Sequence, residues 1–122
     1  MSILNESILK KLPSLSAAEL DALSIGVVKV DDIGTIQMYN KEEGRIGNVN
    51  PSSVIGKNFF TQVAPCTNNR LFFGKFKDGV ASNSLSFSMP YTFTYKIKPT
   101  NVLIQMYRDH NTSSNWIIVK QR

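Results

Sequence analysis

The sequence predicts one α+β domain whose centre is an antiparallel sheet of five strands, with short helices on one face. Two strand patterns follow Gly26, three more fill the last third of the chain, and a helical block separates the two groups. Strands that come in runs, rather than alternating with helices, favour an antiparallel sheet. A chain of 122 residues also has the usual length of a single compact domain.

The first 24 residues are predicted to form a helical cap on a core of residues 25–122. Apolar residues recur at helical spacing before Pro13, namely Ile3, Leu4, Ile8 and Leu12. A second short helix is predicted after Ser16, because Ser16 and Glu19 have the spacing of a capping box. In that motif each side chain accepts a hydrogen bond from the backbone N–H of the other residue.

The core is predicted to begin with a pair of strands. The runs Gly26–Val30 and 35–39 alternate in polarity, and residues 31–34 between them are typical of a turn. These two runs form the first hairpin of the expected sheet.

Short helices are predicted between the two groups of strands. They occupy residues 40–45, the segment opened by Asn50-Pro51, and the segment after Asn58. Proline is favoured at a first helical position, and Pro65 is expected to interrupt the last of these helices. Beyond it, apolar residues at helical spacing predict a longer helix over 68–81, namely Leu71, Phe72, Phe76 and Val80.

Three strands are predicted in the last third of the chain, because apolar residues alternate there. The first strand carries Phe87, Met89, Tyr91, Phe93, Tyr95 and Ile97, the second carries Val102, Ile104 and Met106, and the third carries Trp116 and Ile118. Turn residues at 98–100 and 110–115 separate the three strands.

Charge and composition narrow the function classes. Fourteen basic and nine acidic residues give a net charge of +5, but the basic residues never form the run of five or six that is typical of a nucleic-acid-binding arm. A solvated surface is therefore the favoured interpretation. The chain begins without the apolar core of a signal peptide, and no stretch reaches the roughly 18 apolar residues of a membrane span. We therefore expect a cytoplasmic protein.

The single cysteine, Cys66, has two interpretations. It can be a small buried hydrophobic residue, which is the commonest role of an isolated cysteine. It also lies just before a predicted helix, where the positive end of the helix dipole favours a thiolate and hence acylation. Nucleophilic catalysis usually needs a base, and the sole histidine, His110, lies in a distant polar turn. No pattern of a metal site, phosphate-binding loop or nucleophile elbow is present.

A second candidate site is the segment that contains Tyr39 and Glu43. If this segment is helical, the two residues are four apart and share one face. A solvated turn is the alternative, and it suits Lys41 and Glu42. Because Tyr39 follows an apolar strand, we expect Glu43 to point inward, where a buried carboxyl group can stay protonated and donate a hydrogen bond. A phenol beside a neutral carboxylic acid forms a site for an anionic oxygen.

Three segments of the chain together resemble the photoactive yellow proteins, small bacterial blue-light receptors of PAS-like fold. They are VIGKNFFTQVAPCTN at 54–68, YNKEEG at 39–44 and YTFTYKI at 91–97. The similarity runs without gaps from about residue 20 to the end of the chain, and ordinary PAS domains lack the cysteine block. The resemblance implies a PAS-like fold for this chain.

The resemblance also implies a cofactor, p-coumaric acid, which is held as a 4-hydroxycinnamoyl thioester on Cys66. Tyr39 and Glu43 then donate hydrogen bonds to its phenolate oxygen, and the Cys66 N–H binds its carbonyl. Light isomerises the chromophore, Glu43 gives up its proton, and the domain partly unfolds as the signal. Other positions line or border the pocket in the family, namely Val28, Phe59, Val63, Ala64, Thr67, Tyr91, Phe93, Tyr95 and Ile97.

The implied protein is a photoreceptor rather than an enzyme, with an unidentified downstream signalling protein as its partner. Nucleic-acid binding, membrane insertion and a metal site are not expected, and the receptor is expected to be a monomer or weak dimer. One alternative is a PAS-type module that binds another small ligand without a covalent bond. A second alternative is a thiol-dependent enzyme, which the distant His110 disfavours.

This sequence departs from the family pattern at three positions. Gly47 stands where the best-known members have a threonine that supports the tyrosine. Val49 replaces the arginine that covers the chromophore, and Arg45 is a candidate to take its place. Ile97 replaces a methionine that is associated with thermal re-isomerisation.

The change at position 97 predicts the rate of dark recovery. Because Ile97 lacks a polarizable thioether, we expect Ile97→Met to recover faster after illumination than the wild-type protein. Transient absorption of both reconstituted proteins measures the two rates. An unchanged or slower rate in the variant would refute this role for position 97.

Overall fold

A computed structural model of the protein describes residues 3–94 and 99–122. In this part of the chain five strands form one sheet, in the order β2-β1-β5-β4-β3, and every neighbouring pair is antiparallel. The strands are β1 (Gly26–Val30), β2 (Ile36–Tyr39), β3 (Ser86–Phe93), β4 (Thr100–Asp109) and β5 (Ser114–Gln121). The predicted fold class is thereby confirmed. The predicted extension of β3 through Tyr95 and Ile97 lies outside the described residues.

The helices are short and mostly lie between β2 and β3. The α-helices in the described part of the chain are α1 (Glu6–Leu9), α2 (Ala17–Asp21), α3 (Lys41–Gly47), α4 (Pro51–Val54) and α5 (Lys75–Ala81). Single turns of 3-10 helix occupy Leu12–Ser14 and Pro65–Thr67, and π-helices occupy Phe59–Val63 and Arg70–Gly74. The capping box at Ser16 and Glu19 is formed as predicted.

The helix predicted over 68–81 is present, but its first half is wider than an α-helix. The π-helix Arg70–Gly74 runs directly into α5. Its first turn is fixed by Asn69, whose carbonyl accepts a hydrogen bond from Gly74 N five residues later. The Asn69 side chain accepts a second bond from Phe72 N. The first bond spans five residues, which is the repeat of a π-helix, and the second caps the start of the helix.

The sheet separates two hydrophobic clusters because alternate residues of each strand face opposite sides. In β5, Ile117 and Val119 face the helices α3 to α5, while Trp116 and Ile118 face the N-terminal segment. The larger cluster lies between the sheet and those helices. The smaller cluster joins the N-terminal helices to the opposite face through Leu9, Leu12 and Leu20. The N-terminal segment therefore covers a face that would otherwise expose apolar side chains.

One polar side chain ties the beginning of the chain to the sheet. Gln105 in β4 is 5% exposed, and its Oε1 accepts hydrogen bonds from Ile3 N at 3.1 Å and Leu4 N at 2.8 Å. Its Nε2 donates to Leu4 O at 3.0 Å. The side-chain amide of Gln105 thus bonds to the backbone of residues 3 and 4 as a neighbouring strand would.

The edge strand β3 contains a proline at its middle. Pro90 pairs with Leu103 of β4, and β3 is the last strand of the sheet on that side. Proline has no backbone N–H, so it is found in sheets mainly on edge strands. Its position here agrees with that rule.

Substituting Gln105→Leu is expected to loosen residues 3 and 4 while leaving the sheet folded. Three hydrogen bonds are lost, and each is worth about 1 kcal/mol net, so the Ile3 and Leu4 amides should exchange with solvent at least roughly tenfold faster. Hydrogen exchange followed by NMR measures both amides. Gln37→Leu, the same change at an exposed position of β2, is the control and should alter neither amide.

Candidate functional site

Cys66 lies in a turn between the two π-helices, at the edge of the larger hydrophobic cluster. It is half-buried, in the 3-10 turn Pro65–Thr67. Thr67 is buried and closes the turn, since its N and Oγ1 both donate to Ala64 O, at 2.9 and 2.6 Å. The backbone N–H of Thr94 approaches the Cys66 sulfur at 3.5 Å. The thiol is therefore held between the turn and the end of β3.

The carbonyl of Cys66 accepts two side-chain hydrogen bonds. Tyr91 Oη donates at 2.6 Å and Asn69 Nδ2 donates at 3.0 Å. Asn69 Nδ2 also donates to Tyr91 Oη at 2.8 Å, so the three groups form a closed set. Burial raises the pKa of the Tyr91 phenol, and the nearby Cys66 adds to this effect. Tyr91 therefore stays a hydrogen-bond donor.

Tyr39 and Glu43 are both buried on the helix-facing side of the sheet. Tyr39 is 5% exposed at the end of β2, and Glu43 is 0% exposed in the first turn of α3. Tyr39 pairs with Val28, and a side chain at Gly26 would overlap Glu43 Oε1. Because Gly26 and Val28 lie on one face of β1, the two candidate residues, Tyr39 and Glu43, lie beside the same face of that strand. The expectation that Glu43 points inward is confirmed.

The predicted reason for this placement was wrong. Tyr39 and Glu43 do not share a helix face, because α3 begins at Lys41 and Tyr39 belongs to β2. The strand ends just before Asn40. The Asn40 side chain caps α3 and so separates the two elements. The two residues are brought to one face by the hairpin and the helix start together.

Asn40 makes four side-chain hydrogen bonds and is 1% exposed. Its Oδ1 accepts from Glu43 N at 3.0 Å and from Val27 N at 2.8 Å. Its Nδ2 donates to Leu20 O at 2.8 Å and to Ile25 O at 2.9 Å. One side chain therefore fixes the helix that carries Glu43, the first strand and the end of α2.

The structure brings most of the predicted pocket residues into one cluster with Tyr39. These are Val28, Phe59, Val63, Ala64 and Phe93, with Cys66 and Tyr91 packed against them. Ring contacts connect Phe59 to Phe72, Phe72 to Tyr91, and Tyr91 to Phe93, at centroid distances of 5.1 to 6.3 Å. Tyr95 and Ile97 lie outside the described residues.

Two residues of the site were missed from sequence as functional, Phe72 and Asn69. Phe72 was assigned only to a helix, although its ring contacts Tyr91 in the site. Asn69 lies at the start of the helix predicted over 68–81, and asparagine is a preferred N-cap residue, which is the signal that could have identified it. Its bond to Tyr91 joins residues 22 positions apart, so sequence pattern alone does not show it.

Two of the three positions that depart from the family pattern, Gly47 and Val49, carry no polar side chain. Gly47 is buried at the end of α3, and Val49 packs against the larger cluster. Arg45 does not take the place of the covering arginine, because it is 60% exposed and its guanidinium binds Glu42 and Gln121. Residues two apart on a helix do not share a face, so Arg45 points away when Glu43 points inward.

Comparison with known proteins gives relatives that match over most of their length. No family model matches the chain. It is 40% identical to the photoactive yellow protein of Rhodothalassium salexigens over 90% of this chain and 88% of that protein. It is also 40% identical to the photoactive yellow protein of Halochromatium salexigens, over 96% of this chain and 94% of that one. Among the helices that the structure describes, none is long and apolar enough to cross a membrane.

A solved structure shows the same fold. The photoactive yellow protein domain of the sensor histidine kinase Ppr from Rhodospirillum centenum superposes with a TM-score of 0.85 at 40% identity. The match covers 90% of this chain and 96% of that domain.

Asn40→Ala is expected to destabilise the protein far more than the loss of one helix cap. It leaves Val27 N, Leu20 O and Ile25 O buried without their partner, so we expect a loss of about 3–5 kcal/mol in the free energy of unfolding. Urea unfolding measures this loss. Asn50→Ala, which removes an exposed cap, should cost about 1 kcal/mol. Equal losses in the two variants would contradict a central role for Asn40.

Proposed function

The chain belongs to the photoactive yellow protein family of PAS-fold photoreceptors, and we propose that it is a blue-light receptor with p-coumaric acid bound to Cys66 as a thioester. The single observation that carries the proposal is that Tyr39 belongs to one buried cluster rich in aromatic rings, Cys66 packs against that cluster, and Glu43 is fully buried beside Gly26 of β1. The function is that of a receptor rather than an enzyme.

The residues present fit an aromatic acid. Cys66 supplies the thiol for an acyl group, and it is half-buried at the edge of the cluster. The walls are apolar or aromatic, and the buried hydroxyl and carboxyl groups of Tyr39 and Glu43 suit a phenol oxygen. Attachment is an acyl exchange, in which the Cys66 sulfur attacks an activated p-coumaroyl ester and displaces its leaving group. The thiol proton passes to solvent or to that leaving group, and nothing is oxidised.

When bound, the p-coumaroyl group supplies a phenolate that absorbs blue light and a double bond that isomerises on illumination. We propose that Tyr39 and Glu43 donate hydrogen bonds to its phenolate oxygen, and that Cys66 N–H holds its carbonyl. Bonds to a charged acceptor are roughly twice as strong as neutral ones, so these two donors stabilise the buried anion. Val28, Phe59, Val63, Ala64, Thr67 and Phe93 exclude water, and Tyr95 and Ile97 are assigned to the same pocket by resemblance.

Glu43 is the residue that converts light into a structural change. It holds a proton on its carboxyl group in the dark and releases it toward the phenol oxygen after illumination. The carboxylate that remains is buried, and such a charge costs several kcal/mol against a domain stability of about 5–15 kcal/mol. Partial unfolding relieves that cost by admitting water.

The N-terminal residues 1–24 are the cap that loosens, on a core of residues 25–122. Asn40 supports this proposal, because it binds both Glu43 N and Leu20 O, the latter at the end of the cap. A disturbance at the start of α3 therefore reaches α2 through one side chain. Docked terminal segments also have the lowest local stability in most domains.

A signalling protein is the class of partner that we propose. The relative from Rhodospirillum centenum is a domain of a sensor histidine kinase, which supports this class. We further propose a cytoplasmic receptor that is a monomer or weak dimer in the dark.

Reconstitution with an activated p-coumaroyl ester tests the function. The intact mass of the wild-type protein should rise by one acyl group, and a band in the blue region should appear. Cys66→Ser should show neither change. Absence of a covalent adduct in the wild-type protein would instead favour a PAS-type module that binds another ligand.

Two matched glutamine variants test the role of Glu43. Glu43→Gln should still attach the chromophore, but light-driven hydrogen exchange in residues 3–21 should fall strongly, because no proton can be released. Glu42→Gln changes a partly exposed neighbour that binds Arg45, and it should behave like the wild-type protein. Equal light responses in Glu43→Gln and wild type would overturn the proposed proton donor.

A further inference from the structure

Asn69 uses the two ends of its side-chain amide for two different tasks. Its Oδ1 accepts from Phe72 N at 2.9 Å and so caps the π-helix Arg70–Gly74. Its Nδ2 donates to Cys66 O and to Tyr91 Oη, at 3.0 and 2.8 Å. The start of one helix is thereby tied to the turn that carries the thiol and to β3.

A second asparagine caps the other π-helix in the same way but bonds to a different segment. Asn58 caps the π-helix Phe59–Val63 by accepting from Phe60 N and Thr61 N. Its Nδ2 donates to Ile33 O in the turn between β1 and β2, at 2.8 Å. Among the asparagine caps in residues 3–94 and 99–122, Asn69 is the one whose amide nitrogen bonds to Cys66.

The bonds to the Cys66 carbonyl fix the orientation of the thiol. The carbonyl belongs to the peptide plane between Cys66 and Thr67, and a peptide plane moves as one rigid unit. Tyr91 and Asn69 hold the oxygen of this plane, while Thr67 N on its other side is held by Ala64 O. With the plane fixed at both ends, the Cys66 side chain keeps mainly its own χ1 rotation, beside Thr94 N.

We propose that Asn69 is a positioning residue for Cys66, which acts with Tyr91 through the Cys66 carbonyl and sets where an acyl group on the thiol points. The inference rests on the proposed function, because it assigns Asn69 a role at the same attachment site. It also links the site to the helix block, since a shift of the carbonyl must either break these bonds or move Asn69 and Tyr91 with it.

The single cysteine makes the proposal directly measurable. Carbon-13 at the cysteine carbonyl labels one peptide group in the whole chain. In chromophore-free protein, Asn69→Asp keeps the oxygen that caps Phe72 N and replaces the Nδ2 donor with an acceptor. The isotope-shifted carbonyl band should move to higher wavenumber, because the carbonyl has lost a donor. Asn58→Asp makes the same change at the other cap and should leave the band in place.

Thiol reactivity supplies a second measurement on the same variants. Loss of one net hydrogen bond should raise the population of the opened turn, and with it the rate of Cys66 alkylation by iodoacetamide, by about five-fold. Tyr91→Phe should give a similar increase. The double variant should fall short of the product of the two single effects, because Asn69 and Tyr91 also bond to each other.

The outcomes separate the positioning role from the proposed function. A band shift and faster alkylation in Asn69→Asp and Tyr91→Phe, with neither in Asn58→Asp, support the positioning role. A band at the wild-type position in Asn69→Asp overturns it. If Asn69→Asp does not fold, Asn69→Ser keeps a capping oxygen and should show the same band shift. These measurements need no chromophore, so failed attachment to wild-type protein would overturn the proposed function alone.

Discussion

The buried amide of Asn40 is the constraint on which the rest of the structure depends. An asparagine side chain can accept two hydrogen bonds at its oxygen and donate two at its nitrogen, and Asn40 uses all four. The partners belong to α2, to the residues that begin β1, and to α3. Because these partners are backbone groups, the site depends on where the chain runs as well as on which side chains it carries. Burial of Glu43 follows from this arrangement and from the absence of a side chain at Gly26.

Asparagine caps explain how such short helices persist. Helices of four to seven residues gain little from their own hydrogen bonds, because the first turn is costly to form. The chain compensates with asparagine at the N-cap of α1, α3, α4 and both π-helices. Three of these side chains, Asn40, Asn58 and Asn69, also donate to a distant segment. These caps therefore fix where their helices start, and Asn69 also fixes the turn that carries the thiol.

Sequence patterns predicted the fold and identified Cys66, Tyr39 and Glu43 as candidate residues, but they did not show the hydrogen bonds between the elements. The apolar residues of β3 to β5 were readable as strands, although β5 is buried on both faces because the N-terminal segment covers the second one. The cysteine block with Tyr39 and Glu43 indicated the family. The Gln105 contact joins residues about a hundred positions apart, so no local pattern reports it. Arg45 was misplaced because charge and proximity in sequence do not show which way a helical side chain points. The shared helix face of Tyr39 and Glu43 was wrong for a related reason, since Asn40 ends the strand and begins the helix.

The proline in β3 has a consequence for how this protein behaves at high concentration. A free sheet edge can recruit a strand from another molecule, and repeated recruitment produces aggregates. At Pro90 that edge lacks the backbone N–H that an incoming strand would need, so pairing cannot run unbroken along β3. Under the proposed light response, loosening of the N-terminal cap would expose apolar surface in each cycle, and the interrupted edge would then limit strand pairing between molecules.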